Sequence, residues 1–172
     1  MGVALRTRSL NFEQHPFLKA DVVIDLSNSI INTFMTAVGI RSHFDDLPFA
    51  QMDWQPCNDL SVSIDIKSNT HSGQIRFHFN KDALTAVIKK LFNEAQDPSG
   101  AEISDCLGEL SNICSGNAKT KLNEKGFNLK AALPSVASKT SDLPRLAAGQ
   151  SSVVIPFKIL EHECQMQIIV FK

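Results

Sequence analysis

The chain of 172 residues has no tyrosine, a single tryptophan, Trp54, and four cysteines, Cys57, Cys106, Cys114 and Cys164, none of them spaced as C-x-x-C. Without paired cysteines there is no zinc-ligand spacing and no disulfide framework, so the thiols read as reduced and mostly buried. Long apolar runs are missing too. None approaches the roughly 18 residues of a membrane span, which excludes membrane insertion. Charge of one sign is not in surplus: Lys and Arg total 17 against 18 Asp and Glu, a formal charge of −1. A near-neutral chain lacks the positive field that holds nucleic acid. Arg6 and Arg8 lie near the start with no apolar stretch behind them, so no secretory signal is read and a cytoplasmic location is expected. Internal repeats and low-complexity segments are also absent from the sequence. What is present is 43% hydrophobic and 20% charged residues, the composition of one globular domain that buries roughly 70% of its unfolded surface.

Periodicity supplies the elements. Over residues 20–40, Val23, Ile24, Ile30, Ile31, Phe34, Met35 and Val38 recur at three- and four-residue steps before Gly39, predicting a first helix. Residues 49–54, after Pro48, predict a short strand. Residues 60–66 alternate Val62, Ile64 and Ile66 with Ser61, Ser63 and Asp65, while Ile75, Phe77 and Phe79 alternate with Gln74, Arg76 and His78. These read as two strands, each wet on one side, joined as a hairpin through residues 68–73. Asn80 can cap a second helix over residues 81–95, with Leu84, Val87, Ile88, Leu91 and Phe92 as its apolar stripe. A break at residues 96–100 precedes a third helix over residues 101–125, which Gly126 stops. Residues 129–136 predict a strand interrupted by Pro134, and residues 138–150 a polar loop. A second hairpin alternates Val153, Ile155, Phe157 and Ile159, then Cys164, Met166, Ile168 and Val170, and turns at Glu161-His162-Glu163. Strands that alternate on one side favour antiparallel pairing, and they do not alternate one for one with helices. The expected class is α+β, a mainly antiparallel sheet packed with helices.

The third helix carries the candidate chemistry. At about 100° per residue, Ile103, Leu107, Leu110 and Cys114 cluster on one side and Asp105, Glu109, Asn112 and Gly116 roughly 160° away. Glu109 and Asn112 are neighbours on the outward ridge, and Gly116 leaves room beside them. From spacing alone this is a solvated helix face, as most polar stripes are.

The ridge lies in the string Asp105-Cys106-Leu107-Gly108-Glu109-Leu110-Ser111-Asn112-Ile113-Cys114-Ser115-Gly116-Asn117-Ala118-Lys119. This resembles the signature helix of the CheX-type phosphatases in the wider CheC/CheX/FliY family: Asp or Ser, then Glu and Asn at the spacing found here, then Ala/Ser-Gly-Asn-Ala-Lys. The likeness extends through Gly126-Phe127-Asn128-Leu129 and Leu133-Pro134-Ser135-Val136 and spans about residues 20–172, leaving residues 1–19 as an N-terminal extension to a single domain. The resemblance implies a CheX/CheC-like fold and a phosphatase that acts on the aspartyl phosphate of a CheY-like response-regulator receiver domain. It implies that Asn112 orients the attacking water and that Glu109 pairs with the lysine of the partner's phosphorylation site. Asp105, Glu109 and Gly116 then lie at the partner interface. No cofactor of the chain's own is expected, since the Mg²⁺ belongs to the phosphorylated partner, and a homodimer is expected from the family.

Other features point elsewhere or nowhere. Some relatives, of the CheC type, repeat the motif on the first helix; the nearest string here is Asp21-x-x-x-Asp25-x-x-Asn28, with a shorter acid in the central place, and it reads as an ordinary exposed face. Gly116-Asn117-Ala118-Lys119-Thr120 lacks the spacing of a phosphate-binding loop. His71 and His78 differ by seven positions, so on one strand they face opposite ways, and His162 falls in the expected turn. No G-x-S-x-G elbow accompanies them. Trp54 reads as packing rather than a stacking platform. The alternative function is a non-catalytic module that binds a receiver domain or a flagellar switch through the same ridge. A small-molecule enzyme with Glu109 as general base would need an apolar pocket that an exposed ridge does not offer.

Overall fold

Alternation along the chain becomes, among the described residues, a six-stranded sheet in which every neighbour is antiparallel. The computed structural model describes residues 15–37, 39–40, 42–44, 60–93, 96–130, 135–137, 142–144, 146–147 and 150–171. The strand expected at residues 49–54, with Trp54 and Cys57, lies outside them, as does Pro134. The elements run α1 (Ala20–Ala37), β1 (Ser42–Phe44), β2 (Leu60–Lys67), β3 (Ser72–Phe79), α2 (Lys81–Phe92), α3 (Gly100–Glu124), β4 (Ser135–Ala137), β5 (Ser151–Ile159) and β6 (His162–Phe171). The sheet order is β1-β5-β6-β3-β2-β4. Both expected hairpins form, with Val62 opposite Phe77 in one and Ile155 opposite Met166 in the other. The second turns at Leu160-Glu161, earlier than expected: Leu160 takes the left-handed φ of 55°, and His162 already pairs with Ile159. Of the predicted strand at 129–136, residues 131–134 lie outside the described residues, Leu129 and Lys130 are not strand, and the described part continues to Ala137. β4 is described over Ser135–Ala137, and the Lys130 amide already donates to the Lys67 carbonyl at 3.0 Å.

Val62, Ile64, Ile66, Ile75, Phe77, Phe79, Val153, Ile155, Phe157, Cys164, Met166 and Ile168 are buried in one core with the inner faces of the helices. This burial is the main favourable term in folding. Contrary to expectation, the other face of the sheet is only partly wet: Asp65 and Lys67 of β2 are exposed, but much of the rest is covered. Ser61, Ser63, Arg76, His78, Ser152 and Gln167 are buried as well. Arg76 donates from Nη1 to the Pro144 carbonyl at 2.8 Å, holding part of the polar loop over this face. Buried polar groups must find partners. Here Ser61 Oγ lies 2.7 Å from His78 Nδ1, and Gln167 donates to Ser152 Oγ at 3.1 Å.

The inward stripe of α1 is Val22, Val23, Leu26, Ser29 and Thr33; Ile24 and Met35, placed in the expected stripe, are exposed. The same correction applies to Leu91 and Phe92 at the end of α2. That helix stops at Phe92 because Asn93 turns left-handed with φ 53° and its amide bonds back to Lys89. Packing also begins before α1, where Phe17 and Leu18 of a single 3-10 turn are buried.

Candidate functional site

The helix bearing the ridge is fixed at both ends. At its start, Ser99 and Glu102 form a reciprocal capping box: the Ser99 amide donates to Glu102 Oε2 at 2.6 Å and the Glu102 amide to Ser99 Oγ at 3.3 Å. Such a box satisfies amides that a helix start leaves unpaired. At its end, Gly126 takes φ 85° and its amide reaches the Asn123 carbonyl at 2.9 Å, while that of Phe127 reaches Leu122 at 3.1 Å. This is a Schellman closure, possible because glycine tolerates the left-handed turn. Between the ends, Ile103, Leu107, Leu110, Ser111, Cys114, Ala118 and Leu122 face the core.

Asp105, Glu109, Asn112 and Gly116 all lie exposed on α3, on the side their spacing places opposite that buried stripe. The Asp105 and Glu109 carboxylates and the Asn112 amide make no side-chain hydrogen bond or ion pair among the described residues. A Cβ built on Gly116 meets nothing within 4 Å, so the space beside the ridge is open. Glu109 and Asn112 thus stand one turn apart, an anionic acceptor beside a neutral amide that can both donate and accept.

α3 runs antiparallel to α1. Near one end, Lys125 Nζ lies 2.8 Å from Asp21 Oδ2 and 2.9 Å from Asp25 Oδ2; farther along, the Asn117 amide donates to Thr33 Oγ1 at 2.6 Å. The Lys125 ammonium holds the Asp21 carboxyl below its ordinary range. Of the motif-like positions on α1, Asp21 and Asp25 are therefore engaged by a cation of the same chain, and Asn28 is exposed. The Thr33–Asn117 tie has no signature in either helix read alone, because it depends on how the two pack. Cys106, Cys114 and Cys164 are free thiols, pushed up to about 11, 12 and 12 by burial. No group of three or more His, Cys, Asp or Glu suited to a metal occurs among the described residues, and none of their helices is long and apolar enough to cross a membrane.

The chain matches the family described as chemotaxis phosphatase CheX over residues 60–158, a stretch that contains all of α2 and α3. A comparison with curated protein sequences finds no significant match. Among solved structures, a CheC-like superfamily protein from Shewanella sp. PV-4 superimposes with TM-score 0.74 at 21% identity, covering 89% of this chain and 99% of that one. The chemotaxis protein CheX from Desulfovibrio desulfuricans gives 0.68 at 22% identity, over 88% and 99%. A CheX from Borrelia burgdorferi, solved as a complex with CheY, BeF3 and Mg²⁺, gives 0.67 at 16% identity, over 87% and 97%. With α2, α3 and most of the sheet inside the matched stretch, the chain belongs to the CheX family of chemotaxis phosphatases.

Proposed function

We propose that this chain is a phosphatase of a CheY-like response-regulator receiver domain, hydrolysing the aspartyl phosphate of that partner with Asn112 and Glu109. The observation that carries the reading is the pair itself: an amide and a carboxylate one turn apart on an exposed helix, neither committed to a neighbour among the described residues. Phosphoryl hydrolysis depends on placing water in line and stabilising charge, more than on a protein nucleophile. The Asn112 amide can accept from a water while donating to a phosphoryl oxygen, and being neutral it enters a phosphorylated site without like-charge repulsion. The water oxygen bonds to phosphorus as the bond to the receiver's aspartate oxygen breaks, leaving inorganic phosphate and a free carboxylate. Glu109 sets the register by pairing with the receiver's lysine; Asp105 and Gly116 border the contact. The chain uses no cofactor of its own, and the remaining phosphoryl charge is met by Mg²⁺ in the receiver's site. The Borrelia CheX crystallised with CheY, BeF3 and Mg²⁺ supports this division of labour. We further infer that the protein is cytoplasmic, where its partner resides, and forms a homodimer.

The test is phosphate release from a panel of phosphorylated receiver domains, with binding followed in parallel. Asn112→Ala is expected to lower turnover by about 10²-fold or more while binding persists, the scale for losing one preorganised hydrogen-bonding group. Glu109→Ala is expected to weaken binding about tenfold and turnover with it. A receiver that binds but keeps its phosphate equally long with wild type and Asn112→Ala would replace the phosphatase by a binding module.

A further inference from the structure

Lys119 stands seven residues beyond Asn112 on α3 and is half-buried. At 100° per residue that is two turns less about 20°, so the two side chains leave the helix along one line, about 10.5 Å apart on its axis. Gly116 lies between them, and a Cβ there meets nothing within 4 Å. Side chains on a helix lean toward its N-terminus, which carries the flexible stem of Lys119 over bare Gly116 toward Asn112. The ridge thus continues past its gap and ends in a cation.

That cation is not consumed within the chain. The places three and four residues from Lys119 hold Ser115, Gly116, Leu122 and Asn123, so the helix offers it no ion-pair partner. The neighbouring lysines differ: Lys121 pairs with Glu124 at 2.8 Å, and Lys125 with Asp21 and Asp25. Polar groups beside Lys119 are turned elsewhere, Thr120 donating to the Gly116 carbonyl at 3.0 Å and Asn123 Oδ1 accepting from the Leu129 amide at 2.6 Å. Lys119 itself makes no side-chain hydrogen bond or ion pair among the described residues.

We infer that Lys119 is a specificity-determining contact of the same site, its ammonium meeting carboxylates of the receiver that flank the phosphorylated aspartate. The inference rests on the proposed function for its partner and adds a second charge to the recognition. Along the ridge the order is anionic at Asp105 and Glu109, neutral at Asn112, cationic at Lys119. A receiver that offers a lysine to Glu109 and holds Mg²⁺ beside its phosphoryl group carries the complementary charges, since protein-bound Mg²⁺ is held through carboxylates. Two turns from Asn112, the ammonium serves docking rather than bond breaking. Rim charges of this kind set encounter rate and choice of partner more than affinity. A second copy laid antiparallel on the ridge would also join Lys119 to Glu109, but it would cover Asn112.

The experiment measures association rate and Kd of the full chain with a CheY-like receiver loaded with beryllofluoride and Mg²⁺, across ionic strength, alongside steady-state kinetics on the phosphorylated receiver and light scattering of each variant. Lys119→Gln is expected to raise Kd and KM about threefold and Lys119→Glu about tenfold, through slower association and with kcat unchanged. Added salt should narrow both differences, because exposed charges are screened. Lys119→Arg keeps the charge and should stay within about twofold of wild type. All three replacements are good helix formers, so α3 is retained. A Kd for Lys119→Glu equal to that of wild type at low salt overturns the contact even when wild type hydrolyses phosphate. A loss confined to kcat overturns it too, by moving Lys119 into the chemistry. Loss of self-association with receiver affinity intact assigns the cation to a second copy and overturns it equally. If wild type binds the receiver without hastening phosphate loss, the phosphatase reading fails while the Kd series still decides the contact.

Discussion

At the scale of single residues, His78 carries a consequence for pH. Burial, then the nearby Arg76 charge, lowers its pKa from 6.5 to about 4, against a smaller opposing effect of a Gln167 hydrogen bond. Between those two values the unfolded chain holds the extra proton, so stability is fully present above pH 6.5 and falls as the pH drops toward 4. The shift corresponds to roughly 3 kcal/mol. His78→Gln keeps a hydrogen-bonding side chain and removes the titration; urea unfolding at pH 7 and pH 4.5 is expected to show most of the wild-type difference gone. An undiminished acid-side loss would assign the sensitivity to other groups. His78 also shows what could be read in advance. Alternation with Phe77 and Phe79 told correctly that it faces away from the main core, but alternation separates two faces without saying whether the second is covered. That depended on the Pro144 segment meeting Arg76, a contact 68 positions apart in sequence. The exposed positions Asp105, Glu109, Asn112 and Gly116 were legible because 3.6-residue periodicity is local to one helix.

At the scale of elements, strong local chemistry marked the boundaries that could be anticipated. Asn80 accepts from the Asp82 amide at 2.7 Å as an N-cap, and Gly126 closes α3. The ends that moved were set by single conformations, Asn93 at the end of α2 and Leu160 in the last turn. β1 and β4, three residues each, exist through partners remote in sequence: Ser42 pairs with Ile159, and Val136 with Val62. Their pairing could not be read from their own side chains. Gly73 shows how tightly β3 is held. A Cβ there would sit 2.5 Å from the Ile169 carbonyl oxygen on β6, and backbone cannot swing aside as a side-chain tip can. Gly73→Ala is expected to cost about 1–3 kcal/mol as overpacking, seen as a lower Tm or an earlier urea midpoint. A variant as stable as wild type would mean that β3 and β6 separate more easily than their register implies.

At the scale of the whole molecule, every sheet neighbour among the described residues is antiparallel, and the two edges of the described sheet are its shortest strands, β1 and β4. Sheet edges are where copies of a chain add to one another. Light scattering of the full chain is therefore expected to give the mass of a homodimer. A single monomeric species across micromolar concentrations would remove that part of the proposal. The division within α3 has one more consequence. Ile103, Leu107, Leu110 and Cys114 serve the interior, while Asp105, Glu109, Asn112 and Gly116 bind nothing in it. On the proposed reading, substitutions on the outer stripe retune which partner is met with little effect on folding, and substitutions on the inner stripe can drift toward other apolar residues without altering recognition. Lineages sharing this scaffold are thus free to diverge in the company they keep while remaining superimposable, consistent with a TM-score of 0.74 at 21% identity.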